Sequence, residues 1–202
     1  EDIREVQGGF PKRNVVRVMI DGLPENAPEL TLSRLLDEYR TAREERFKST
    51  TRRTQASAGL LIVGLQQRLL SSIEAFARSL KVHRETVKRQ WEKGSAEPTK
   101  ATKTPDKEGD LFTKVPDADD ERAEWTPEEI EAEEKVQMEK VTAKVETASP
   151  KDATAEAIWH QEQNLLNQMQ EIAEEARHLP DAKMRRLIDW IRENLCPKLP
   201  PF

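Results

Sequence analysis

The sequence lacks the residues on which several classes of protein depend. Cysteine occurs once, at Cys196, which excludes an intramolecular disulfide and a cysteine-based zinc site. Only 7 of the 202 residues are glycine, and neither a G-x-x-x-x-G-K-S/T phosphate loop nor a G-x-G-x-x-G fingerprint is present. We expect no signal peptide, and the sequence contains no apolar run long enough to span a bilayer. We therefore expect a cytoplasmic protein that contacts no membrane and is not an autonomous ATPase.

Hydrophobic and aromatic residues are also scarce, at 36% and 5% of the chain, whereas 35% are charged. A chain of this composition buries little apolar surface, which favours long solvated helices over one large core. Extended runs of β-branched and aromatic residues, typical of large sheets, are missing. The predicted fold is mainly α, an elongated helical bundle or helical hairpin insertion with one short N-terminal strand.

Charge is unevenly distributed along the chain. Residues 40–94 carry 13 Lys and Arg against 5 Asp and Glu, whereas residues 95–150 carry 8 against 16. This asymmetry is typical of a part that faces nucleic acid and an acidic arm. Two solvated helix faces of opposite sign would give the same pattern.

Turn signals and periodicity divide the chain into segments. Val15–Ile20 is the one convincing strand, bounded by Gly8-Gly9 and Pro11 before it and by Asp21-Gly22 after it. The predicted segments are a strand-containing exit from a preceding domain (1–25), a helical segment (26–94), a linker (95–125), a second helical segment (126–196) and a tail (197–202). The linker is rich in Pro and charged residues, and we expect it to be disordered or loosely attached.

The first helical segment is predicted to hold two helices. One begins near Asn26–Pro28, with Asn26 as its cap, and ends near Phe47. After a polar break, residues 54–84 have the apolar stripe of a core helix, which continues more weakly to Gly94. Gly59 and Gly64 each cost this helix about 1 kcal/mol against Ala, which indicates close packing of another backbone.

The second helical segment contains clear start signals. Thr126-Pro127 with Glu129 forms a capping box for a mostly charged helix that runs to about Glu146. Ser149–Asp152 begins a helix to about His178. A last short helix carries the apolar residues Met184, Leu187, Ile188, Ile191 and Leu195.

Few residues are candidates for chemistry. His83, His160 and His178 have no metal-ligand spacing, and we expect exposed histidines at helix ends. The pair Ser71-Ser72 lies inside the predicted helix without a nearby base and is interpreted as a polar patch. The acidic residues Glu121–Glu139 match no cation-binding loop. No catalytic, cofactor-binding or metal-binding residue is predicted.

Two basic sets could neutralise phosphates without reading base sequence. Spacings of three and four residues place several members of each set on one helix face. The candidate DNA-phosphate contacts are Arg40, Arg43, Arg46, Arg52 and Arg53 in the first set and Arg78, Lys81, Arg84, Lys88 and Arg89 in the second. The alternative is that these residues pair with Glu44, Glu45, Glu74 and Glu85 on solvated helices.

Three separated pieces of the chain resemble one family. Residues 8–39 contain GGFPKRNVVRVMIDGLPENAPEL and end on LLDEY, residues 65–80 read LQQRLLSSIEAFARSL, and residues 179–197 read LPDAKMRRLIDWIRENLCP. In this order they are similar to the region between the two RecA-like lobes of bacterial Swi/Snf-type superfamily-two helicase-like ATPases. The similarity is greatest to helicase-like proteins of bacterial DNA-modification and phage-defence loci.

This resemblance implies a function for the chain as a piece of a longer protein. We expect a non-catalytic inter-lobe or insertion domain of an ATP-dependent DNA helicase or translocase, which couples the flanking RecA-like lobes and contacts double-stranded DNA. ATP and Mg²⁺ would bind only in the parent protein, a hydrolase. The alternative is a protein-interaction module that docks another subunit through Glu121–Glu139.

Overall fold

The computed structural model of the chain describes residues 15–94 and 126–196. Within these ranges the protein is mainly helical, as predicted. Its six helices are α1 (Pro28–Phe47), α2 (Arg52–Ser71), α3 (Ile73–Gly94), α4 (Pro127–Thr147), α5 (Ala153–Ala176) and α6 (Ala182–Asn194). The predicted linker 95–125 and tail 197–202 lie outside the described residues.

The chain divides into two compact units. One unit comprises Glu1–Pro24 and Ala182–Phe202, of which residues 15–24 and α6 are described. The other comprises Glu25–Asp181 and contains α1 to α5. The second unit is therefore inserted in the sequence between the two segments of the first.

An apolar core joins the helices of the 25–181 unit. α1 packs against α2 and α5, while α3 packs against α2, α4 and α5. The core is formed by leucines of α1 and α2 together with Phe76 and Leu80 of α3, Met138 of α4, and Leu166 and Met169 of α5. Its members recur every three or four residues, so each helix buries one face.

Several helix ends follow their sequence signals. The hydroxyl of Thr126 accepts a hydrogen bond from the Glu129 amide at 3.3 Å, and the Glu129 carboxylate accepts one from the Thr126 amide at 2.8 Å. This confirms the predicted capping box. Asp152 caps α5 by accepting from the Ala155 amide at 2.9 Å. The cap predicted for α1 was wrong, because α1 begins at Pro28 and its N-cap is Ala27, not Asn26.

The core helix predicted from Thr54 to Gly94 is two helices. Ser72 has an extended backbone, with φ −164° and ψ 157°, and separates α2 from α3. Its hydroxyl accepts a hydrogen bond from the Ala75 amide at 3.1 Å, which caps α3. The serine pair is therefore a helix break and not a polar patch inside one helix.

Two further expectations differ from the structure. Residues 15–20 form no strand, and all six are exposed. A strand needs a partner to satisfy its backbone groups, and these residues have no ladder within the described part of the chain. Gly59 was predicted to pack against a backbone, but a Cβ at this position would meet nothing within 4 Å.

Candidate functional site

Side chains from α1, α4 and α5 form a buried ion-pair network, which we call the Arg–Glu cluster. It consists of Arg43, Arg46, Glu146 and Glu162, none of which is more than 3% exposed. Arg43 and Arg46 lie three residues apart on the buried face of α1, close to Tyr39 and Phe47. Two positive and two negative charges give the cluster no formal net charge, which is the condition for burying such groups.

Arg46 is the centre of the cluster. Its Nε and Nη2 donate to the two oxygens of Glu162 at 2.8 and 2.7 Å. Its Nη1 and Nη2 donate to the two oxygens of Glu146 at 3.0 and 3.1 Å. Nη1 also donates to the Ser149 hydroxyl at 2.6 Å, so one guanidinium joins α1 to α4, to the turn after α4 and to α5.

Arg43 is held less completely. Its Nη2 lies 2.6 Å from a Glu146 oxygen, and its Nη1 donates to the Tyr39 hydroxyl at 3.0 Å. Its Nε has no hydrogen-bond partner within the described ranges. The guanidinium also lies over the ring of Phe47, 5.0 Å from the centroid, which adds a cation–π contact.

The two carboxyls of the cluster differ in acidity. Burial raises the pKa of Glu146, but the attraction of Arg43 and Arg46 outweighs burial, and the pKa lies below its usual value. For Glu162 burial outweighs the attraction of Arg46 and Arg43, and the pKa is raised.

A neutral hydrogen-bonded chain lies next to the cluster. The Tyr39 hydroxyl is 2.7 Å from His83 Nε2, and His83 Nδ1 is 2.9 Å from the Thr142 hydroxyl. Because Arg43 donates to Tyr39, every group is best satisfied if Tyr39 donates to Nε2 and Nδ1–H donates to Thr142. Burial, with the nearby charges of Arg43 and Arg46, holds the pKa of His83 well below its usual value. His83 is therefore buried and neutral, not an exposed histidine at a helix end.

A pair of tryptophans joins the end of α3 to α5. The rings of Trp91 and Trp159 are stacked, with centroids 4.9 Å apart and planes inclined by 12°. Arg46 lies over the Trp91 ring at 5.8 Å, and the Lys151 ammonium lies over it at 5.4 Å. The stack therefore adjoins the Arg–Glu cluster and brings two cations close to one indole.

The structure separates the predicted phosphate contacts into two groups. Arg43 and Arg46 are buried and paired with Glu146 and Glu162, so their guanidiniums are not available at the surface in this structure. The other eight candidates are on the surface or half-buried: Arg40, Arg52, Arg53, Arg78, Lys81, Arg84, Lys88 and Arg89. Contact between these eight and DNA stays a prediction.

Several of the eight have partners within the chain. Arg40 pairs with Asp37 at 2.8 Å, and Arg84 donates to the Asn167 side chain at 2.8 Å. Two pairs link α3 to the acidic helix α4: Arg78 with Glu131 at 2.5 Å, and Arg89 with Glu139. Some cations of the basic segment (40–94) therefore form ion pairs with carboxylates of the acidic segment (95–150). Pairs with Glu44 and Glu74, two of the acids named in the alternative to DNA contact, are also present: Arg40 with Glu44 at 3.7 Å and Arg78 with Glu74 at 2.6 Å.

Two open clefts border these charged residues. The α1–α2 cleft has a volume of about 590 Å³, and the exposed charged residues of its lining are Arg40, Lys48 and Arg52 against a single acid, Glu44. The α3–α4 cleft, of about 740 Å³, has lining residues of both signs that include the Arg78–Glu131 pair. The α1–α2 cleft is therefore the more suitable of the two for an anionic group.

Sequence reasoning missed most of the Arg–Glu cluster and the chain beside it. Glu146, Glu162, His83, Tyr39 and Thr142 were not predicted as partners of one another. A signal was present in α1, where Leu32, Leu36, Tyr39, Arg43 and Arg46 follow one another at spacings of four, three, four and three. Arginines that continue the spacing of a core stripe indicate that their side chains are buried, and a buried arginine needs an acidic partner. The spacing does not show which glutamates those partners are.

Comparison with protein-family models, curated proteins and solved structures found no match to this chain. In the described ranges, no helix is long and apolar enough to cross a membrane. The same residues contain no group of three or more His, Cys, Asp and Glu side chains arranged to hold a metal ion.

Proposed function

We propose that the chain is a non-catalytic helical insertion domain between the two RecA-like lobes of a cytoplasmic, Swi/Snf-type, ATP-dependent DNA translocase or helicase. The observation that carries this proposal is the division of the chain into two units. Residues 15–24 and α6 belong to one compact unit, and the sequence of α1 to α5 lies between them. This is the sequence arrangement of an inserted domain, whose two ends continue into one host.

The Arg–Glu cluster supports a coupling role. It connects α1 to α4 and α5 through charged groups that are costly to separate once buried. A bundle held in this way moves as a rigid body, so a movement of one flanking lobe would be passed to the other without deforming the bundle. The ATP and Mg²⁺ of the proposed parent would bind outside this chain, in the flanking lobes.

The proposal includes a contact with duplex DNA through exposed cations of α3. Lys81 and Lys88 are exposed and two helical turns apart, on the face that also carries Arg78. Arg40 and Arg52 at the α1–α2 cleft provide a second cationic surface. Such contacts neutralise phosphates and carry no sequence preference.

The test measures binding of the chain to fluorescent duplex DNA at graded salt concentrations. We expect the affinity to fall with salt, and Lys81→Ala with Lys88→Ala to reduce the slope of log K against log salt by about 2. Lys140→Ala on α4, an exposed lysine outside both sets, is the matched control and should change the slope less. Absence of binding at low salt would show that the DNA contact is wrong.

The non-catalytic part of the proposal has a separate test. The purified chain should not hydrolyse ATP, with or without duplex DNA, because the proposed motor lobes are not part of it. Steady ATP turnover that co-purifies with the chain and is lost with a point variant of the chain would refute an insertion domain.

The alternative, a module that docks another subunit through α4, is favoured by one observation. Ile130 and Val136 of α4 are each 40% exposed among the acidic residues of that helix. Ile130→Ser with Val136→Ser should abolish capture of such a subunit without changing DNA binding, which distinguishes this function from the first.

A further inference from the structure

The exposed face of α2 carries a largely apolar stripe. Five exposed residues follow one another along this helix at spacings of four, three, four and three, the spacing of a coiled-coil seam. Leu60, Val63 and Leu70 are 53%, 45% and 78% exposed. Ala56 and Gln67 complete the set, which we call the α2 stripe.

The neighbouring helix α3 provides an internal comparison. Its exposed residues recur at the same spacings, and those at positions 78, 81, 85, 88 and 92 are all charged. By contrast, residues 54–67 of α2 include no charged side chain, in a chain that is 35% charged. The water-facing side of α3 carries charges, whereas the α2 stripe has the composition of a surface that is covered.

Gly59 adds an observation that the 25–181 unit does not explain. It lies directly before Leu60 in the middle of α2, where glycine disfavours the helix. Space inside the unit does not require it, because a Cβ there would meet nothing within 4 Å. A small residue beside an apolar seam allows the backbone of a second helix to approach closely.

The chemistry of the stripe indicates what covers it. A partner helix has to be apolar along the seam, and a second copy of α2 meets this requirement without leaving any charge buried. A parallel pair would bring together Arg52 and Arg53 of both copies at the positive ends of two helices. An antiparallel pair separates them by nearly the length of α2, about 30 Å.

We propose that the chain self-associates through α2, with the α2 stripe of one copy packed antiparallel against that of a second copy about a two-fold axis at Val63. In this register Ala56 faces Leu70 of the second copy, so a small residue meets a large one. Val63 faces itself, as a residue on the axis of an isologous interface must. One helix pair buries less than the roughly 800 Å² per partner of a standard interface, so the dimer is expected to be weak and to dissociate on dilution.

The first test is the mass of the chain over a concentration series, measured by sedimentation equilibrium. The wild-type chain should shift from monomer towards dimer between about 1 µM and 1 mM, the range for a weak interface. Val63→Glu puts two like charges on the axis and should leave a monomer throughout. Glu85→Lys, on the charged face of α3, is the matched control and should dimerise like the wild type.

The second test determines the orientation by disulfide cross-linking in a Cys196→Ser background, since Cys196 is the only cysteine. A mixture of Ala56→Cys and Leu70→Cys chains should form a mixed disulfide, whereas Ala56→Cys alone should not cross-link. Efficient cross-linking of Ala56→Cys alone would overturn the antiparallel arrangement. A wild-type chain that remains monomeric, or a Val63→Glu chain that dimerises unchanged, would overturn the proposal itself.

Discussion

At the scale of single residues, Arg46 and Arg43 have unequal roles in one cluster. Arg46 makes five hydrogen bonds to Glu146, Glu162 and Ser149. Arg43 donates to Tyr39 and pairs with Glu146, while its Nε has no hydrogen-bond partner in the described part of the chain. Removing one partner of a buried ion pair is costly, so replacing Arg46 should destabilise the protein more than replacing Arg43.

We predict that Arg46→Met lowers the free energy of unfolding by about 3–5 kcal/mol, since it leaves two buried carboxylates with one arginine. Arg43→Met should cost less, because Arg46 still holds both glutamates. Urea unfolding followed by circular dichroism measures the difference. Equal losses for the two variants would contradict the unequal roles, and Arg40→Met on the exposed face of α1 is the control.

His83 predicts a dependence of stability on pH. Its pKa in the folded protein lies well below the usual 6.5, so the unfolded chain binds more protons below that pH. Stability should therefore fall as the pH decreases from about 6.5, by up to about 1.4 kcal/mol per pH unit. Chemical denaturation at pH 7, 6 and 5 measures this slope.

His83→Gln is the control for this slope. Glutamine can donate and accept hydrogen bonds towards Tyr39 and Thr142 but does not titrate. Its stability curve should be flatter between pH 7 and 5 than that of the wild type. Parallel curves would assign the slope to other titrating groups.

At the scale of helices, the break between α2 and α3 depends on Ser72. Its hydroxyl accepts from the Ala75 amide, an N-cap contact that typically contributes about 1 kcal/mol. Ser72→Ala should lower the free energy of unfolding by that amount. Ser79→Ala, in the middle of α3, should have little effect or a small stabilising one, because alanine is the better helix former. A similar loss in both variants would show that the cap is not the cause.

Local signals predicted the helices better than their interruptions. The capping box at Thr126 and the start of α5 at Asp152 were recognised because each depends on residues within one turn. The break at Ser72 was missed because the apolar spacing Leu65, Leu69, Ile73, Phe76 runs through it unchanged. The spacing of apolar side chains does not reveal a break in which a single residue changes the direction of the backbone and leaves that spacing unaltered.

The candidate site was missed for a different reason. Arg43 and Arg46 were interpreted as surface cations because charged residues are seldom buried. Their partners are remote in sequence, Glu146 being 100 residues and Glu162 116 residues from Arg46. Pairing at this separation is decided by how α1, α4 and α5 pack, which local patterns do not encode.

At the scale of the whole molecule, the 25–181 unit should be stable by itself. Its apolar core and the Arg–Glu cluster are made entirely by α1 to α5. We predict that residues 25–181 alone unfold cooperatively, with a urea midpoint close to that of the same transition in the full chain. A large decrease in the midpoint, or loss of cooperativity, would show that residues 1–24 or 182–202 contribute to this core. The measurement is circular dichroism at 222 nm.

The stacked indoles of Trp91 and Trp159 provide an intrinsic spectroscopic probe of the contact between α3 and α5. At 4.9 Å the strong far-ultraviolet transitions of the two rings couple, which gives the circular dichroism a pair of bands of opposite sign that separate indoles lack. Trp91 is in the last turn of α3 and Trp159 is in the first half of α5. Loss of the paired signal would therefore register separation of these two helices without any added label, during unfolding or on binding of a partner.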